Sequence, residues 1–139
     1  MFTIATWNIN SVRLREALVS RLLTEEAPDI LCLQEIKTPV EKFPLEAFQA
    51  LGYRYLVARG QKGYNGVAIL SKLPMMDMGD KDFANLGHAR HVAAQLENGV
   101  TIHNFYVPAG GDIPDRAQNV KFGQKLDFLA RMTTWADTL

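Results

Sequence analysis

The chain has 139 residues, of which 47% are hydrophobic and 22% charged; that suits one folded domain with a sizeable core and excludes a disordered or fibrous chain. Lysine plus arginine balances aspartate plus glutamate at 15 each, so bulk charge alone would not hold it on a nucleic acid, although a local basic stripe is not excluded. No apolar stretch approaches the ~20 residues of a membrane span, no signal peptide is read at the N-terminus, and the lone Cys32 cannot close an internal disulfide, so a reducing, cytoplasmic setting without a membrane partner is expected.

In chain order, residues 2–9 are apolar and β-branched enough for a strand. Ser11 is placed to cap a helix, and Leu14, Ala17, Leu18 and Leu22 recur at helical spacing up to Glu26, before Ala27-Pro28 stops it. Residues 29–36 form a second strand, whose apolar run predicts burial on both faces. Strand, helix and strand make a βαβ unit with both strands in one sheet. Pro44 and Gly52 bracket a short helix over 45–51. Strands follow at 53–58 and 67–71, joined by a loop holding Gly60, Gly63 and Gly66. Met75, Met76 and Met78 are expected to fill gaps in the core. Strands at 91–96 and 100–107 are joined as a two-residue hairpin around Asn98-Gly99. A loop over 108–119 leads to an amphipathic helix from about Val120, with Phe122, Leu126, Leu129 and Ala136 on its apolar face.

Asn8, Glu35 and Tyr106 each stand at the C-terminal end of an expected strand, where open α/β sheets leave a crevice. Burying an unpaired carboxylate is expensive, so Glu35 needs a partner. A hard divalent cation would serve, as would a surface pairing with Lys37. Asn8 and Asn10 could bond a phosphate or simply shape a capping turn. Tyr106 could donate to a phosphate oxygen or be a half-buried strand aromatic. Residues 47–76 hold Arg54, Arg59, Lys62 and Lys72 but no acid, interleaved with Tyr53, Tyr55 and Tyr64; that mixture suits a nucleic-acid backbone or a solvated hairpin equally. His88, His91 and His103 lack metal-ligand spacing and read as structural, while Asp112 and Asp115 read as turn residues.

Together these segments resemble a known family. Thr6-Trp7-Asn8-Ile9-Asn10-Ser11-Val12-Arg13, Leu33-Gln34-Glu35-Ile36-Lys37, the glycine loop over 60–71 and Asn104-Phe105-Tyr106-Val107-Pro108 are similar, in the same order, to motifs of the exonuclease III and apurinic endonuclease family, within the endonuclease/exonuclease/phosphatase superfamily. The resemblance implies an α/β fold: the N-terminal half of a DNase I-like four-layer sandwich, a mixed sheet with flanking helices. It implies hydrolysis of DNA phosphodiesters, with Mg²⁺ or Mn²⁺ as cofactor and duplex DNA bearing abasic sites or 3′ ends as partner. Glu35 would hold the metal with Asn8 and Asn10 near it, although some relatives have an aspartate where Asn10 stands. Tyr106 and Asn8 would act at the phosphate. Arg13, Lys37, Asn65, Gly66 and Arg90 would contact the DNA backbone. The family's second half carries a Gly-Asp-x-Asn and a Ser-Asp-His motif that residues 1–139 lack, so the expectation is a partial domain, inactive alone. That half would supply mostly one sheet, with an uncovered apolar face open to the missing half or to self-association. The alternatives are a phosphoesterase acting on a small or lipid substrate and a non-catalytic DNA-binding remnant.

Overall fold

A computed structural model describes residues 1–139, which divide into two units. The first, Met1–Lys81 with Ala89–Tyr106, contains β1 (Ile4–Asn8), α1 (Glu16–Glu25), β2 (Ile30–Gln34), α2 (Leu45–Gln49), β3 (Tyr55–Arg59), β4 (Val67–Ser71), β5 (Met75–Gly79), β6 (His91–Leu96) and β7 (Thr101–Phe105). The second, Asp82–His88 with Val107–Leu139, contains α3 (Val120–Ala136).

The strands form two sheets rather than the single dominant one expected: β1-β2-β4-β3 and β5-β6-β7. β1 and β2 are parallel, with Asn8 opposite Gln34, as the βαβ reading requires. All other pairings are antiparallel. Alternation along the strands sends side chains to two cores. On one face Leu31, Leu33, Ala68 and Leu70 cluster with Val19 and Leu23 of α1, Phe48 of α2 and Tyr53. On the other, Ile30, Cys32, Val57, Val67 and Ile69 cluster with Val92, Ala94, Leu96 and Ile102 of the smaller sheet. Over β2, β4 and β3 the inner face expected to lie bare is covered by the chain's own second sheet, whereas the β1 residues on that side, Ile4, Thr6 and Asn8, remain exposed.

Other expectations shift for local reasons. α1 starts at Glu16 with Arg15 at its cap position, and the Ser11 hydroxyl instead accepts a bond from the Leu14 amide in the preceding turn. Its buried residues are Val19 and Leu23, while Leu14 and Leu18 are exposed, so the inward face is rotated from the leucine repeat. The methionines form an edge strand, β5, and Met76 and Met78 face solvent rather than fill the core. The β6–β7 turn has three residues: Leu96 and Val100 are bonded across it, and Gly99 takes φ 89°, the left-handed position that closes a three-residue hairpin. In the second unit, Asn119 caps α3 by accepting from the Lys121 amide. Phe128, absent from the expected face, is its buried anchor, edge-on to Phe83 at 5.5 Å; Ala136 is exposed.

Ile69 is fully buried between the sheets. Ile69→Ala should lower the unfolding free energy by about 2–5 kcal/mol, read as a reduced midpoint in urea with little change in slope.

Candidate functional site

Three strand ends converge on Glu35. β2 is apolar and enclosed over most of its length, and Glu35 is the first residue beyond its last, Gln34. Backbone bonds join this end to its neighbours: the Ile9 amide to Gln34 O, Ser11 to Glu35 O and Val12 to Ile36 O on the β1 side, and Ile36 to Gly66 O and Lys37 to Asn65 O on the β4 side. The loops so joined hold five non-glycine residues at positive φ: Asn10, Ser11, Glu35, Lys37 and Asn65. Such conformations persist only where surrounding contacts over-determine them, and they cluster at functional sites. Gly66 has φ 94°, and a Cβ there would lie 2.5 Å from the Ile36 side chain, so the position requires glycine.

On this rim the structure brings Asn8, Glu35 and Tyr106 together. Glu35 Oε1 accepts from Asn8 Nδ2 at 3.2 Å and from the Tyr106 hydroxyl at 2.5 Å. Lys37 Nζ lies 3.5 Å from Glu35 Oε2 and donates to Asn10 Oδ1 at 2.6 Å. The Arg90 guanidinium sits over the Tyr106 ring, 4.7 Å from its centroid. Burial pushes the Glu35 carboxyl upward, but the bonds from Tyr106 and Asn8 and the neighbouring Lys37 outweigh it and leave the carboxyl below its ordinary range. Burial, the bond donated to Glu35 and that carboxylate's charge push Tyr106 up to about 12, so at neutral pH it remains a proton donor.

The arrangement offers one ionised carboxylate fringed by hydroxyl, amide and cationic donors. Glu35 is its single carboxylate, and no cluster of three histidine, cysteine, aspartate or glutamate residues exists anywhere in the chain. The carboxylate oxygens of Glu35 are hard ligands that fit Mg²⁺, which takes one or two carboxylates and completes its shell with water and phosphate oxygens. Asn10 fits that role poorly, because its side-chain oxygen already accepts from the Lys37 ammonium.

The remaining expected positions divide. Arg13 is exposed. Asn65 is buried, and its amide donates to Gln61 Oε1, which also accepts from the Ala89 amide; it shapes the glycine loop instead of presenting itself to a ligand. The basic hairpin is weaker than its sequence implied. Arg59 is ion-paired with Asp77 and Asp80, at 2.9 and 2.5 Å, and Tyr53 is fully buried with its hydroxyl on Pro28 O. His91 and His103 form a stacked pair with ring nitrogens 3.1 Å apart; burial and the neighbouring imidazole push His91 down to about 4, in keeping with a structural role.

Two residues near the site carry no role in the sequence reading, Gln34 and Asn104. Asn104 interrupts the inward apolar register of β7, two residues beyond Ile102 and two before Tyr106, and a polar residue at such a position signals a buried bond.

Residues 5–137 match the model of the endonuclease/exonuclease/phosphatase family. The chain is 33% identical over 137 residues to exodeoxyribonuclease III of Haemophilus influenzae, covering 95% of this chain and 50% of that protein. Among solved structures it resembles an AP endonuclease from Archaeoglobus fulgidus, with a TM-score of 0.82 and 38% identity, covering 95% of this chain and 49% of that one. It also resembles the 3′ phosphatase NExo from Neisseria bound to a product DNA hairpin, with a TM-score of 0.81 and 36% identity, covering 98% and 51% respectively. The chain thus spans about half the length of these relatives, and the shared architecture is the DNase I-like one, a mixed sheet with flanking helices.

Because the folded state holds the Glu35 carboxyl below its ordinary range, its bonds contribute stability that is present above about pH 4.3, the unfolded glutamate value, and lost as pH falls through the lower folded value. In metal-free buffer, Glu35→Gln should therefore be less stable than the parent at neutral pH, with the gap in urea midpoint narrowing as pH drops below about 4.3. A gap independent of pH would show that the charge on Glu35 contributes nothing.

Proposed function

The chain belongs to the endonuclease/exonuclease/phosphatase family, and on that premise we propose that residues 1–139 are the N-terminal half of an exonuclease III-type nuclease. Its reaction is metal-assisted hydrolysis of a DNA phosphodiester, at abasic sites and at 3′ ends. The observation that carries this reading is the Asn8–Glu35–Tyr106 cluster at the strand ends, with Lys37 and Arg90 beside it. Relatives named as an exodeoxyribonuclease and an AP endonuclease, and one bound to a DNA product, support DNA over a small or lipid phosphoester.

Glu35 would hold Mg²⁺ with Asn8 beside it, and the bound ion would polarise the phosphate and neutralise charge developing on the leaving oxygen. Tyr106, kept protonated, would turn its single hydroxyl proton from Glu35 to a non-bridging phosphate oxygen when substrate binds. Asn8 directs its amide at Glu35 and keeps that carboxylate oriented. Lys37, Arg90 and the exposed Arg13 offer positive charge to the backbone on either side. The water that attacks needs a base on the opposite side of the phosphorus, and this rim contains one carboxylate, already assigned to the metal. That base belongs to the part of the domain that the relatives possess beyond the matched half. β1, which pairs only with β2, leaves a strand edge where that part would dock.

Purified chain should bind duplex DNA in a salt-dependent manner but fail to nick an abasic duplex at any Mg²⁺ concentration, because loss of a general base alone lowers rates by about 10²–10⁴. When the chain is joined to the remaining half of the domain, incision should appear with Mg²⁺ and vanish in EDTA. In that protein Tyr106→Phe should lower kcat by about 10²–10³, the usual effect of removing one transition-state donor. Glu35→Gln should weaken Mg²⁺ binding and lower turnover more than it lowers DNA affinity. Hydrolysis of small phosphoesters without DNA cleavage would overturn the reading.

A further inference from the structure

Below the Tyr106–Glu35 bond lies a second polar connection between the same two sheets. Asn104 of β7 is 3% exposed. Its Nδ2 donates to Leu33 O of β2 and to Ala68 O of β4, each at 2.9 Å. Its Oδ1 accepts from Gln34 Nε2 at 2.8 Å, and the same Gln34 nitrogen donates to Thr6 Oγ1 of β1 at 2.9 Å. Leu33 and Ala68 are direct cross-strand partners, so one amide clamps a rung of the larger sheet while Gln34 extends the connection to its edge strand.

An amide at this position must be desolvated, and an apolar residue of similar volume would meet the surrounding core without that penalty. Apolar contacts are non-directional, however, and permit one sheet to slide over the other. Hydrogen bonds of defined geometry do not. The register they enforce matters one pleat further along. Asn104 precedes Tyr106 by two residues, and the Leu33 carbonyl that it holds lies two residues before Glu35, so clamp and site join the C-terminal ends of the same two strands. Tyr106 and Glu35 stand just beyond the regular strands, and their approach depends on how the last clamped rung is set.

From this juxtaposition we infer that Asn104, with Gln34, is a positioning pair for the phosphate site: it fixes the offset between the sheets so that the Tyr106 hydroxyl reaches Glu35. Neither residue touches the reacting atoms. The inference rests on the nuclease reading for its consequence, since a displacement of about 1 Å can lower a rate about 10²-fold, but its structural content can be tested without activity.

The test uses the 139-residue chain with ¹³C-labelled tyrosine and glutamate, followed by NMR. In the parent, the hydroxyl proton of Tyr106 should exchange slowly and show a through-bond or nuclear Overhauser connection to Glu35. Tyr53 provides an internal control, because its hydroxyl bonds Pro28 O within the other core, on the helix-covered face. Asn104→Leu should abolish the Tyr106–Glu35 signature and leave the Tyr53 signature unchanged. Retention of the Tyr106–Glu35 signature, or loss of both signatures together, would overturn the inference, the second outcome marking Asn104 as a general core residue. Should Asn104→Leu fail to fold, the same criteria apply to Gln34→Met, which removes the arm that reaches the exposed Thr6 of β1. If the parent chain bound neither DNA nor Mg²⁺, the nuclease reading would fall, while these resonances would still decide whether the pair positions Tyr106.

Discussion

A carboxylate set down at the end of a strand enclosed on both faces is the constraint around which this chain is arranged. β2 is central, flanked by β1 and β4, with helices against one face and the smaller sheet against the other. Its burial makes the position of Glu35 rigid, and rigidity is what a group that must meet a phosphate or a cation within a few tenths of an ångström needs. The same burial raises the free energy of the ionised carboxyl. Tyr106, Asn8 and Lys37 offset that penalty; Lys37 lies two residues along the same segment, whereas Asn8 and Tyr106 come from the ends of β1 and β7, which the fold must bring to the rim.

The backbone around Glu35 follows from the same demand. A strand that simply continued would carry its side chain onward in alternation. Here the chain turns through left-handed conformations at Glu35 and Lys37, facing the loops after β1 and before β4, and the five backbone bonds joining those loops keep the turns from relaxing. Local strain of this kind is tolerated because the rim is bonded on both sides, so conformational preference is subordinated to the placement of one side chain.

Positive charge is distributed differently from what composition implies. Arg59, the basic residue nearest the glycine loop on β3, is neutralised by Asp77 and Asp80 across the sheets. Lys37 and Arg90, by contrast, stand within reach of Glu35 and Tyr106. A chain of zero net charge thereby keeps cationic groups at the rim while pairing others internally, which favours local recognition of a phosphate over diffuse attraction to a polyanion.

The elements were largely legible in the sequence, because hydrophobic period and glycine, proline and asparagine punctuation are local signals. The parallel β1–β2 pair, the β3–β4 hairpin, the start of the last helix near Val120 and the strand-end positions of Asn8, Glu35 and Tyr106 could all be read from residues near one another. What sequence could not decide depended on contacts between distant segments. A run of leucines does not say which face of α1 turns inward until Val19 and Leu23 meet the sheet. Three methionines look like core until an edge strand exposes two of them. Arginine and tyrosine in a hairpin look like a nucleic-acid surface until Asp77 and Asp80 take the first and the core takes Tyr53. Asn104 reads as an anomaly in a strand until the carbonyls of Leu33 and Ala68, which lie 71 and 36 residues away, arrive to accept its amide. Local propensity specifies the parts, whereas burial and pairing energies between remote segments decide which polar groups are exposed, which are bonded and which meet at one rim.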